Sequence, residues 1–206
     1  GGTVPLAVGD AWSAKLKGEK RVSVIYFGDG CFEEGVLHES MNFAILHKLP
    51  VIFICENNGY SVYTKLNDRQ PSRKIINIAK AHGMQVHTAD GNDVLDIMKI
   101  SYNAIEQARN DNKPQFFEFK TYRWLEHCGP DDDDHLKYRP QGELSIWKEK
   151  CPVEKLKNHI MSKNINYATQ FTLIEKAIES EISDAFKFAI NSNPPSIDLL
   201  NKHIYA

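Results

Sequence analysis

The stretch Arg21–Tyr63, RVSVIYFGDGCFEEGVLHESMNFAILHKLPVIFICENNGYSVY, decides how the rest of the chain is read. Residues 22–27 (VSVIYF) are apolar, β-branched and aromatic, and the run stops at Gly28-Asp29-Gly30. From Glu33 to Leu46 the residues Val36, Leu37, Met41, Ala44 and Ile45 recur at helical spacing, which predicts a helix ended by Pro50. Val51–Cys55 is a second short strand pattern, closed by the polar turn Glu56-Asn57-Asn58-Gly59-Tyr60. Two strands joined by a helix form a parallel, right-handed βαβ unit, so both turns fall at the same carboxyl edge of the sheet. Open α/β sheets bind ligands at that edge. Asp29 and Asn58 are therefore expected to be neighbours.

A glycine-rich turn opening a helix is a cradle for a phosphate or diphosphate, and Gly28 and Gly30 let the backbone approach a ligand closely. This turn also holds a carboxylate, which would repel a bare diphosphate. A hard divalent cation between the two removes the repulsion. Mg²⁺ takes oxygen ligands in octahedral geometry, usually one or two from protein and the rest from phosphates and water. Asp29 offers a carboxylate, Asn58 an amide oxygen and Tyr60 a backbone carbonyl. Alone, GDG or NN is an ordinary turn; at the ends of consecutive βαβ strands they point to one site. A Rossmann dinucleotide reading fits worse, because GDGCFEEG is not GxGxxG and carries an acid inside the turn. A zinc reading of His38-Glu39 fails as well, because Asn42 stands where HExxH needs its second histidine.

The residues now quoted, with VPLAVGDAWSAK, HESMNFA, KLPVIFICENNGYSV and KTYRW, resemble the E1 α subunit of thiamine diphosphate-dependent 2-oxo acid dehydrogenases. The resemblance runs from residue 1 to about 140, with a weaker tail to the C-terminal IDLLNKHIYA. It implies thiamine diphosphate and Mg²⁺ as cofactors, with Asp29, Asn58 and the Tyr60 carbonyl on the metal, and with Gly28, Gly30 and Cys31 along the diphosphate. It implies oxidative decarboxylation of a 2-oxo acid, pyruvate by default, with acyl transfer to a lipoyl group. It also implies an α2β2 heterotetramer with an E1 β subunit and a lipoyl-bearing E2 acyltransferase. The carboxylate that activates the cofactor comes from β in that family, so this chain alone is expected to be inactive. Two other readings stay open: a non-catalytic assembly module of the same fold, and half of another thiamine enzyme of transketolase or decarboxylase type.

Further on, residues 65–72 (KLNDRQPS) read as a surface loop and Ile75–His82 as a short helix. Met84–His87 reads as a strand, Val94–Asn110 as a helix with Ile97, Ile100, Ala104, Ile105 and Ala108 on its buried stripe, and Gln115–Tyr122 as a strand. Strands alternating with helices predict an α/β fold with a parallel sheet. The first helix is expected to pack Leu6, Ala7, Ala11, Trp12 and Ala14 on that sheet. After Arg123 the segment WLEHCGPDDDDHLKYRP is polar and irregular. The resemblance places His127 of this loop near the diphosphate and gives it a tentative catalytic role, against the alternative of a surface histidine. Cys128 replaces the regulatory serine of the mammalian enzymes, so phosphorylation control does not carry over. Asp131–Asp134 reads as a solvated acidic segment; an EF-hand is excluded by Leu136 at the glycine position. Residues 1–142 are expected to form the cofactor-binding domain and 143–206 a helical extension packed on it, with apolar residues of 172–190 facing core or a partner.

Composition sets outer limits. The chain has 206 residues and a formal net charge of -2, which gives no general attraction to nucleic acid or anionic membrane. No apolar run approaches the roughly 18 residues of a membrane helix. Cys31, Cys55, Cys128 and Cys151 form no CxxC pair; free thiols in a reducing cytoplasm are the expectation. The opening Gly1-Gly2-Thr3-Val4-Pro5, without Met, reads as a cut end, and the resemblance assigns the missing part to the amino-terminal portion of the subunit.

Overall fold

A computed structural model describes residues 1–163 and 167–202. Its elements in chain order are α1 (Val4–Leu16), β1 (Ser23–Gly28), α2 (Gly35–Leu46) and β2 (Val51–Asn57). A small ribbon of β3 (Tyr60–Ser61) and β4 (Thr64–Lys65) follows, then α3 (Leu66–Arg69), α4 (Ile75–Ala81), β5 (Gln85–Asp90), α5 (Val94–Asp111) and β6 (Gln115–Lys120). The chain closes with α6 (Glu143–Lys148), α7 (Pro152–Lys163) and α8 (Tyr167–Asn191). The main sheet is parallel, in the order β1-β2-β6-β5. The α/β fold with a parallel sheet flanked by helices is thus as expected.

Central parallel strands are covered on both faces, so they lose the apolar–polar alternation of a half-exposed strand. In β2 the first five residues are all buried, and β6 repeats the pattern. One face carries Val51, Phe53 and Cys55 with Phe27 and Phe116, packed under α1, α2 and α4. The other carries Ile52, Ile54, Phe117 and Phe119 under Ala104 and Ala108 of α5. Edge strand β1 buries Phe27 but leaves Val24 and Tyr26 exposed on the opposite face.

Several boundaries differ from the expected ones, each for a local reason. The helix expected from Glu33 begins at Gly35, because Asp29–Glu33 forms a 3-10 turn and Glu34 is extended. Phe32 is drawn into the core against Phe27 and Phe116, which bends the chain before the helix can start. Helix α1 buries Val4, Val8, Ala11 and Ala14. Leu6 is exposed and Trp12 lies at the rim, against Phe43 and His47. The polar run 65–72 is not simply a loop, since it holds α3.

The chain divides into one compact unit at Gly1–Leu156 and a second at Lys157–Ala206. Helix α6, read from sequence as part of the extension, thus belongs to the unit containing the sheet, where Leu144 is buried. In the second unit, Leu173, Ile174, Ile178, Ile182 and Phe186 of α8 are exposed, and Lys157 pairs with Glu175 at 2.6 Å. The final four residues, including part of the C-terminal resemblance, lie outside the described residues. Among the described residues no helix is long and apolar enough to cross a membrane.

Candidate functional site

Strand register brings the two turns together. Gly28 lies opposite Glu56 at the last pair of the β1–β2 ladder, so the turns that open at Asp29 and at Asn58 leave adjacent strands. Both turns leave the same carboxyl edge, as the βαβ geometry requires.

Asp29 is fully buried. Its Oδ2 accepts from Arg69, which also pairs with Glu33. Gln70 Nε2 donates to the Asp29 carbonyl at 3.1 Å and to Glu33 Oε1 at 2.8 Å. Arg69 at the end of α3 and Gln70 directly after it therefore fasten the turn. The other carboxylate oxygen, Asp29 Oδ1, is buried with no hydrogen-bond partner. A buried carboxylate oxygen without a partner carries a large desolvation cost, and a cation at that oxygen would remove it. The turn is closely packed at Gly30, where a Cβ would lie 2.8 Å from Ser61 Oγ and 3.1 Å from Ser61 Cβ.

The two asparagines are not equivalent. Asn57 spends both ends of its amide on protein: Oδ1 accepts from Gly59 N at 3.1 Å, and Nδ2 donates to Glu118 Oε1 at 2.9 Å. Asn58 Oδ1 accepts a single bond, from Tyr60 N at 2.9 Å. An amide oxygen has two lone pairs, so each Oδ1 keeps one, but only Asn57 also commits its Nδ2, which ties its amide to Glu118 on β6. Asn57 is thus the amide anchored at both ends, and Asn58 the one anchored through its oxygen alone. The Asp29 Oδ1 lone pairs, the Asn58 oxygen and the Tyr60 carbonyl are all hard oxygens, the donor type Mg²⁺ prefers. The residues present fit that ion.

Cys31 faces inward. Its side chain belongs to the core cluster, and burial pushes its thiol pKa up, so only its backbone can line a diphosphate. His127 is exposed, with Nδ1 3.2 Å from Arg123 Nη1. A guanidinium only donates, so Nδ1 is the acceptor and a neutral His127 carries its proton on Nε2.

The acidic run is not uniformly solvated as expected. Asp133 is fully buried. It accepts from Tyr138 and forms ion pairs with Arg123 at 3.5 Å and Arg139 at 3.4 Å, the latter without hydrogen-bond geometry. Two cations within reach compensate its burial. The Arg139 guanidinium lies 5.0 Å from the ring centres of Tyr122 and Tyr138 and 5.9 Å from that of Tyr60. Arg123 Nη2 donates to Val62 O at 3.0 Å and to Tyr138 Oη at 2.8 Å. The segment after β6 is thereby folded onto the turn that carries Tyr60. Tyr60 donates to Glu143 Oε2 at 2.8 Å; burial and this bond push its phenol up to about 12.

Sequence reading missed Arg69, Gln70, Glu118 and Glu143. Glu118 left a signal, as the one acid inside the apolar strand FFEF. The others stand in polar text where nothing marks a long-range contact.

The "Dehydrogenase E1 component" family model matches residues 1–198. The α subunit of the pyruvate dehydrogenase E1 component of Porphyra purpurea is 31% identical over 210 residues, covering 98% of this chain and 60% of that protein. The α subunit of acetoin:2,6-dichlorophenolindophenol oxidoreductase of Bacillus subtilis (strain 168) is 34% identical over 206 residues, covering 100% and 60%. The mitochondrial 2-oxoisovalerate dehydrogenase α subunit of Homo sapiens is 32% identical over 203 residues, covering 98% and 45%. Among solved structures, a thiamin diphosphate-dependent enzyme from Mycobacterium smegmatis matches with a TM-score of 0.46 and 26% identity, over 58% of this chain and 22% of that one. The chain thus spans 60% or less of these curated relatives' length. With the family model matched over nearly the whole sequence, the chain belongs to the dehydrogenase E1 component family.

Proposed function

We propose that this chain is the cofactor-holding part of an E1 α subunit, acting in the thiamine diphosphate-dependent oxidative decarboxylation of a 2-oxo acid with acyl transfer to a lipoyl group. The observation that carries the reading is Asp29: wholly buried at the carboxyl edge, with one oxygen paired to Arg69 and the other without a partner. Asp29, Asn58 and the Tyr60 carbonyl would hold Mg²⁺, and the backbone at Gly28, Gly30 and Cys31 would line the diphosphate. When bound, thiamine diphosphate supplies the carbanion chemistry of decarboxylation. These residues bind and orient it. Arg69 neutralises the carboxylate oxygen that the metal leaves, and His127 offers an Nε2 proton from the loop.

Glu33 is held by Arg69 and Glu118 by Asn57, so neither is free for a second, acid–base role. This supports an E1 β subunit as partner, completing the site in an α2β2 assembly, with a lipoyl-bearing acyltransferase as acceptor. Pyruvate is the substrate we favour. Acetoin is the second reading, supported by the 34% identity to the Bacillus subtilis oxidoreductase subunit. The test is turnover by the full-length α chain reconstituted with its β partner, with Mg²⁺ and thiamine diphosphate, over pyruvate, branched-chain 2-oxo acids and acetoin. Turnover of pyruvate is the expected result. Turnover of acetoin alone supports the second reading, and no turnover of any supports an assembly role.

A further inference from the structure

Glu143, the first residue of α6, accepts two hydrogen bonds at one oxygen: from Tyr60 Oη at 2.8 Å and from Tyr122 Oη at 3.1 Å. The two donors come from different parts of the edge. Tyr60 stands two residues past Asn58, in the turn after β2. Tyr122 stands two residues past the end of β6, directly before Arg123. Their rings meet edge to face with centres 6.5 Å apart, and Tyr122 stacks on Trp147 of the same helix as Glu143, at 5.4 Å and 7°. An oxygen shared by two donors constrains both.

Further contacts join the same loop to the same turn. Arg139 sits among the Tyr60, Tyr122 and Tyr138 rings, Asp133 holds Arg139 and Arg123, and Arg123 returns to the Val62 carbonyl in the turn. We propose that Glu143 is a positioning residue that locks the Tyr60 turn to the origin of the 123–139 loop, so that the two order and disorder together. Resting on the function proposed above, Glu143 is then the residue through which a turn filled with Mg²⁺ and thiamine diphosphate is coupled to the loop.

Amide hydrogen exchange on the full-length α chain assembled with its partner tests this, first without ligand. Glu143→Ala is expected to speed exchange about tenfold or more in both 59–61 and 123–133, while β2 and β6 stay protected. Glu143→Gln, whose amide oxygen can accept the same two bonds, is expected to restore both segments. Faster exchange in only one segment, equal loosening of β2 and β6, or no rescue by glutamine would overturn the lock. With Mg²⁺ and thiamine diphosphate added, the wild type and Glu143→Gln should gain protection in turn and loop, and Glu143→Ala in the turn alone. Equal loop protection in Glu143→Ala would also overturn it. A wild type showing no ligand-dependent protection at 29–31 and 58–60 contradicts the cofactor reading instead, and the ligand-free comparison still decides the lock.

Discussion

The guanidinium of Arg69 pairs with Oδ2 of Asp29, forty positions earlier in the chain, while Oδ1 of the same buried carboxylate has no partner. One half of the charge is met by protein and the other half is left for something else. Removing one member of a buried pair leaves the survivor uncompensated, at about 3–5 kcal/mol. Arg69→Ala is therefore expected to lower stability by about that amount, read as a shift in the denaturant midpoint. Mg²⁺ with thiamine diphosphate should recover more stability in this variant than in the wild type, because Asp29 without the Arg69 guanidinium attracts the cation more strongly, and a ligand stabilises by its affinity for the folded state. Equal stability of variant and wild type without ligand would contradict the pairing.

Asn57 and Asn58 are adjacent and identical, yet their substitutions should separate. Asn57→Ala strips the partner from the buried Glu118 carboxylate and is expected to cost about 1–3 kcal/mol. Asn58→Ala loses one bond to Tyr60 N and should leave stability within about 1 kcal/mol, while metal-dependent cofactor affinity falls at least tenfold. Calorimetric unfolding and ligand titration of both variants make the comparison. The reverse pattern would reassign the ligand to Asn57.

Gly91 follows β5, and its N–H donates to Lys120 O at 2.7 Å. A Cβ on residue 91 would stand 2.7 Å from that carbonyl oxygen and 3.0 Å from Thr121 Cβ. Neither neighbour can move without disturbing the β5–β6 ladder. Gly91→Ala is expected to destabilise by about 1–3 kcal/mol, the usual cost of overpacking, measured by thermal or denaturant unfolding. A neutral outcome would mean that the turn relaxes freely.

His38 and His82 face each other, Nδ1 to Nε2, at 3.3 Å, and His38 Nε2 lies 3.2 Å from the Phe32 carbonyl. A carbonyl only accepts, so His38 Nε2 carries a proton, and while both rings are neutral His82 Nε2 donates its hydrogen bond to His38 Nδ1. Burial, then the neighbouring His38 charge, lowers the His82 pKa from its ordinary value. With the folded value below the unfolded one, the unfolded chain binds more protons as pH falls. The stability present above the ordinary imidazole range, about 6.5, is lost progressively down to the lowered folded value. His82→Gln should flatten that part of the stability–pH curve, as followed by denaturant midpoints between about pH 8 and 5. An unchanged slope would contradict the assignment.

The β1–α2–β2 unit was legible because its evidence is local: strand runs, helical spacing and turn residues lie in consecutive text. The pairing of the Asp29 and Asn58 turns at one edge follows from that topology alone. Arg69 and Gln70 were not legible, since they reach Asp29 from a polar run whose composition describes a loop equally well. Asp133 is hidden for another reason. It stands in a run of four aspartates that differ only in environment, and the two arginines that bury it come from either end of the segment. The buried face of α1 was misjudged because Trp12 is large and apolar, yet its ring finds Phe43 and His47 at the rim.

The central claim is that a divalent ion at Asp29 and Asn58 joins this chain to a diphosphate. Calorimetric titration of thiamine diphosphate into the full-length assembled protein, with and without Mg²⁺, tests it most directly when wild type and Asp29→Asn are run side by side. The account predicts saturable binding that requires Mg²⁺ and falls at least a hundredfold in Asp29→Asn, whose fold persists by circular dichroism. Equal affinity with and without the metal, or an Asp29→Asn variant that binds like the wild type, would contradict it.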